Sequence, residues 1–180
     1  MGRSLGFFSR TGSAVAVAVS STPPEFVGRF AVDLAPPEVP VQMFHAAVGR
    51  RDAEAFVRRC AEAVAELAVQ RLRELLAEVG QVDQVGVVIG DHPVPDDVGR
   101  ILAAHPLMHA AEGQLYRDAL LDAAAACTLP ATGTARSTVA GRLEGDLAAA
   151  VAALGAAAGR PWRKEHKLAA VAALVADGGR

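Results

Sequence analysis

The chain has 180 residues, enough for one domain with a sizeable core, and its 52% apolar and 21% charged content marks it as globular rather than disordered. A formal net charge of −2 gives no broad basic footprint for nucleic acid and leaves only a local basic patch to consider. No run approaches the roughly 20 apolar residues of a membrane span.

Residues 4–9 and 13–20 read as two strands joined by a hairpin turn at Ser9–Gly12. Arg3 and Arg10 ahead of SAVAVAVSS loosely resemble a secretory leader. The apolar stretch is short, however, and β-branched at every second residue, so a strand explains it better. Residues 25–34, EFVGRFAVDL, alternate as a third, half-buried strand. Phe26, Gly28, Phe30, Val32 and Leu34 point one way, Arg29 and Asp33 the other. The three prolines of APPEVPVQ make the next segment a loop leading to Phe44 and His45.

Residues 52–79 carry the clearest helical period, from Phe56 and Cys60 through Val64, Ala68, Leu72 and Leu75 to Val79. Asp52 can cap its start, Glu54 and Arg58 form an i,i+4 pair, and Gly80 stops it. VGVVIG at 85–90 is apolar on both faces, as a strand interior to a sheet is. A short helix follows at 97–104, then a longer one from Pro106 to about Cys127. Residues 129–137 form a weak strand. One Ala-rich helix presents Leu143, Leu147, Val151 and Leu154. A last helix starts with Pro161 in its first turn and runs to about Ala176, and residues 178–180 fray. Cys60 and Cys127 both fall in helices and read as buried thiols of a reducing cytoplasm.

Three strands followed by alternating helix and strand specify a single α/β domain over residues 1–180. Its five-stranded mixed sheet (β-β-β-α-β-α-β-α) is flanked by helices, with the C-terminal helices of 143–176 packed on the same core. This order resembles the ribonuclease H-like fold, and equally one half of an actin-like ATPase. The first resemblance implies clustered carboxylates holding two divalent metals about 4 Å apart, one acid on the first strand, one near the end of the fourth, others on the last helix. Here Phe7, Phe8 and Ser9 occupy the first-strand stretch. Asp91 follows the fourth strand, and the last helix offers only Glu165 and Asp177. The actin-like resemblance implies an acid and a phosphate-binding turn in the first hairpin, and SRTGS has no acid. HPLMHAAEGQLYRDAL with PWRKEHKLAAVAAL also resembles a family of small Ala-rich actinobacterial proteins. That resemblance implies a bacterial cytoplasmic protein of one domain, and no mechanism.

The chemistry concentrates in AAHPLMHAAEGQLYRDAL. Met108, Ala111, Leu115, Ala119 and Ala123 form the apolar stripe of its helix, and Glu112 projects into the middle of it, with His109 and Tyr116 at one side. A carboxylate on a core-facing stripe must be neutral, paired or metal-bound. Three readings stay open. Glu112 braces another element through hydrogen bonds, or acts as a general base in a catalytic pocket with His109 and Asp91. Alternatively it ligates a divalent metal such as Zn²⁺ or Mn²⁺ with His105 and His109. Pro106 suits the first helical position, which places His105 as a cap just outside the helix. His45 from the loop after the third strand, and Asp91–His92 from the end of the fourth, are the groups able to meet Glu112, because sites in open α/β sheets gather at strand ends. Lys167 beside Trp162 is a further binding candidate, since basic residues with one aromatic can contact phosphate or a base.

The leading expectation is a ribonuclease H-like domain without the usual catalytic acids, working through a pocket of His45, Asp91, His105, His109 and Glu112. The alternatives are a non-enzymatic interaction module that dimerises through its Ala-rich helices, and a metal-dependent hydrolase using the His/Glu cluster.

Overall fold

A computed structural model describes residues 2–20 and 22–178. The expected fraying at Gly179 and Arg180 lies outside the described residues. Gly178 closes the last helix with its N–H on the Leu174 carbonyl.

Five strands form one mixed sheet: β1 (Arg3–Arg10), β2 (Ser13–Ser20), β3 (Phe26–Asp33), β4 (Gln84–Ile89) and β5 (Ala131–Ala135). Their order is β3-β2-β1-β4-β5, antiparallel from β3 to β1 and parallel from β1 to β5. The helices are α1 (Met43–Ala47), α2 (Ala53–Val79), α3 (Val98–Leu102), α4 (His105–Ala126), α5 (Arg136–Glu144), α6 (Ala148–Ala158) and α7 (Lys164–Asp177). The expected α/β architecture and its five-stranded mixed sheet are therefore present.

Both faces of the sheet are buried, and the period of two assigns each side chain to a face. Leu5, Phe7, Ala14, Ala16, Ala18, Val85 and Val87 face the larger core, built with α2 and α4. Val17, Val19 and Val88 face the smaller one, built with α7. SAVAVAV is thus a strand with alanine on one face and valine on the other. The C-terminal helices cover the second face and not the α2/α4 core. There α7 comes unusually close. A Cβ on Gly6 would lie 1.9 Å from the Ala169 carbonyl oxygen, and one on Gly86 would lie 2.1 Å from that of Ala172. Only glycine at these two strand positions lets the helix backbone rest on the sheet.

Several local expectations are corrected. Phe26 does not share a face with Phe30 and Val32. Pairing slips between Ala18 and Val19, where Ala18 meets Gly28 but Val19 meets Phe26. Val27 is the extra residue of a bulge, which turns Phe26 onto the α7 face, edge-on to Trp162 with ring centroids 6.2 Å apart. Asp52 precedes α2 without capping it, because its carboxylate is taken by Arg50 and Arg59 at 3.0 and 3.2 Å. Those two guanidinium groups hold the Asp52 carboxyl below its ordinary pKa. Among the described residues Glu54 and Arg58 form no ion pair.

The single tail helix is two, α5 and α6, interrupted at Gly145–Leu147. Pro161 is not in the first turn of α7 but precedes it in irregular chain, where Arg29 binds the carbonyls of Gly159, Arg160 and Pro161. Cys127 is the residue after α4, not within it, and both cysteines are free.

Candidate functional site

Strands β1, β3 and β4 run in the same direction, and α4 returns antiparallel to β4 on the way to β5. The start of α4, the chain after β3 and the ends of β1 and β4 are therefore brought to one end of the sheet. In open α/β sheets this carboxyl end is where ligand sites form.

At that end His45 of α1 meets Glu112 of α4. The Glu112 Oε1 accepts from His45 Nδ1 at 2.7 Å and, more weakly, from the His45 backbone N–H at 3.3 Å. Glu112 is fully buried, whereas the His45 side chain is 25% exposed. One turn back on α4, His109 Nδ1 lies 3.8 Å from Oε2, the oxygen left without a hydrogen-bond partner. One turn further on, the buried Tyr116 donates its hydroxyl to the Val41 carbonyl at 3.1 Å, tying the loop after β3 to the same helix. Burial, and then the nearby Glu112 carboxylate, push the Tyr116 phenol up to about 12. The buried face of α4 is rotated from the predicted stripe. Glu112 and Tyr116 are at its centre, and Leu115 is only partly covered.

His105 is inside the helix, not a cap outside it. Ala104 is the extended residue before α4, and Pro106 takes the second helical position. This places His105 one turn from His109 on the same stripe. The rings of His45, His105 and His109 stand 4.5–5.1 Å apart, centroid to centroid. One nitrogen from each lies within 4.8 Å of the others. Glu112 does not join that set as a direct ligand. It sits behind His45, and a carboxylate accepting at Nδ1 leaves the proton there and the lone pair on Nε2. This is the way a carboxylate orients a metal-binding imidazole.

Asp91 does not enter the cluster. Its Oδ1 accepts from the Ser137 backbone N–H at 2.8 Å and from Ser137 Oγ at 2.6 Å, serving the first turn of α5. Those hydrogen bonds hold its carboxyl below the ordinary value. Lys167 is an exposed residue of α7 and belongs to the other face of the sheet.

A two-metal carboxylate centre of the kind the ribonuclease H-like resemblance implies does not fit these residues. Phe7 is in the core, Ser9 is no carboxylate, Asp91 serves Ser137, and Glu165 is paired with Arg10 at 2.9 Å. Asp177, at the far end of α7, accepts from Gln84. The sequence reading missed Arg117 and Arg136, which line a groove at the tip of β1. Nothing in linear spacing connects residues on α4 and α5 to the first hairpin.

No protein-family model matches the sequence, and no curated protein matches it. Solved structures do. RuvC of Thermus thermophilus in complex with a Holliday junction substrate superposes with a TM-score of 0.60 at 15% identity, over 97% of this chain and 91% of that one. A second Thermus thermophilus RuvC structure gives 0.59 at 14% identity, over 96% and 91%. The likeness extends over the whole sheet and its helices and identifies the fold as ribonuclease H-like. Among the described residues no helix is long and apolar enough to cross a membrane.

Proposed function

We propose that this chain uses a ribonuclease H-like fold without the two-metal carboxylate centre and is a metal-dependent hydrolase built on His45, His105 and His109. The convergence of three imidazoles from two helices over a buried carboxylate carries this reading. Three neutral nitrogen donors suit a zinc-class cation and leave a fourth position open, which distinguishes catalytic from structural sites. Nitrogens within 4.8 Å of one another are near enough for the three rings to share one ion.

A cation held there supplies an acidified water and polarises a carbonyl or phosphoryl oxygen. The chain's own residues do the rest. Glu112 fixes the His45 tautomer and offsets positive charge from below. Tyr116 anchors the backbone that carries α1. His105 and His109 stand at the solvent side, where a substrate enters.

Metal content of the untagged chain purified without chelator, followed by melts with Zn²⁺, Mn²⁺ and Mg²⁺, tests the reading. Near-stoichiometric metal and an upward melting shift with Zn²⁺, abolished in His109→Ala, are expected. Absence of both bound metal and any shift overturns it. Given a bound metal, chromogenic ester and phosphoester substrates then separate a hydrolase from a purely structural centre.

A further inference from the structure

The tip of β1 carries a second feature, independent of the histidines. A groove of about 440 Å³ lies between the first hairpin, α4 and the starts of α5 and α7. Arg10, Arg117, Arg136 and Lys164 line it, and its one carboxylate, Glu165, is committed to Arg10. Among the described residues Arg117, Arg136 and Lys164 form no ion pair.

Arg117 is half-buried, and burial lowers its affinity for its proton; the neighbouring Asp118 carboxylate offsets part of that, and Arg136 adds to it. Its guanidinium rests over Gly90 and Gly113, where a Cβ at either position would come within 3.2 Å. Two residues without side chains thus leave room for a charged head that no carboxylate meets in a direct ion pair among the described residues. Arg136 is positioned above the Phe8 ring, 5.6 Å from its centroid. Ser9 Oγ is buried in the same groove without a hydrogen-bond partner. Lys164 opens α7, where the helix dipole already disfavours a cation. Four observations share one remedy, an anion that none of these residues supplies.

We propose that the groove binds the phosphate group of a small phosphate monoester. Planar guanidinium groups match tetrahedral oxyanions with paired N–H donors. The volume is that of a small-molecule site, and Phe8 and Leu168 give it apolar walls for an organic substituent. The overall charge of −2 and the internal Arg10–Glu165 pair suit a compact ligand better than a polyanionic strand. Where the fold's resemblance implies metals held by acids, this chain sets fixed cations of its own.

Calorimetric titration of the full chain with inorganic phosphate and with phenyl phosphate, in EDTA so that no metal at the histidines contributes, tests the assignment. Saturable binding of both is expected, phenyl phosphate tighter. The exposed Arg136→Gln should weaken it about tenfold or more, the effect of losing one charge-assisted pair. Arg117→Gln should weaken it further, and Arg136→Gln alone suffices if Arg117→Gln fails to fold. No saturable binding, or binding unchanged in Arg136→Gln, overturns the proposal. So does a single-stranded oligonucleotide that binds tighter than phenyl phosphate and loses that advantage in Arg136→Gln, because the groove would then read a strand.

Discussion

Helix α4 presents two stripes about 100° apart, and they carry opposite chemistry. Along one, His105, His109, Glu112 and Tyr116 place a buried carboxylate under imidazoles. Along the other, Gly113 makes room for Arg117, a half-buried guanidinium with no carboxylate paired to it. The first stripe carries an acid and nitrogen lone pairs, which attract a cation. The second carries a guanidinium without an ion-pair partner among the described residues, which attracts an anion. The two stripes do not pair with each other: Glu112 meets His45, and Arg117 forms no ion pair among the described residues.

That contrast can be broken most severely from beneath α7. Gly86→Ala sets a Cβ 2.1 Å from the Ala172 carbonyl oxygen, so α7 must shift, with an expected loss of about 3 kcal/mol in urea unfolding. Because α7 carries Lys164 and Glu165 into the groove, the variant should lose its phosphate response. The Zn²⁺ response should persist at the histidines, which lie over the other sheet face. Equal loss of both responses in a variant that circular dichroism shows to be folded would mean that the two stripes are one site.

Glu112→Ala comes next. It leaves His45 without its acceptor and opens a cavity, at an expected cost of about 2 kcal/mol in the metal-free chain. Glu112→Gln keeps an acceptor oxygen and should cost about 1 kcal/mol, while Zn²⁺ affinity falls about tenfold. A gain in metal-free stability in Glu112→Gln would show that the carboxylate is strained for binding and does not brace the helix.

The smallest effect is alkaline. Tyr116, the single tyrosine, has its pKa raised from 10.0 to about 12. The folded chain therefore holds the phenol proton more tightly than the unfolded one. Its stabilising contribution is complete below pH 10 and declines as pH rises toward 12. Phenolate absorbance of the folded chain should appear late, and in Glu112→Gln somewhat earlier, since the carboxylate contributes to the shift.

Much of this was legible in the order of residues. The alternation along β2 and β3, the short continuous apolar run of β4 and the three-to-four-residue period of α2 and α4 identify elements, because each pattern is a property of one segment. Glu112 stood out as a polar residue on an apolar stripe, and His45 as a group able to reach it. The misreadings share a cause. Phe26 changed face because β3 bulges against β2, and a bulge exists only between strands. Asp91 went to Ser137 and Asp52 to two arginines because a carboxylate takes the nearest donor in space. The break at Gly145–Leu147 and the placing of Pro161 ahead of α7 were set by how α6 and α7 pack, with Arg29 holding the chain between them.

The sequence by itself determined the strands, the long helices, the mixed α/β order and the lack of a first-strand acid, since backbone preference and apolar periodicity act locally. Only the tertiary structure decided which three histidines meet, that Glu112 stands behind them, and that Arg117, Arg136 and Lys164 converge at the tip of β1. Those encounters join residues many positions apart, and hydrogen bonds and charge interactions act over a few ångströms of space, whatever the separation along the chain.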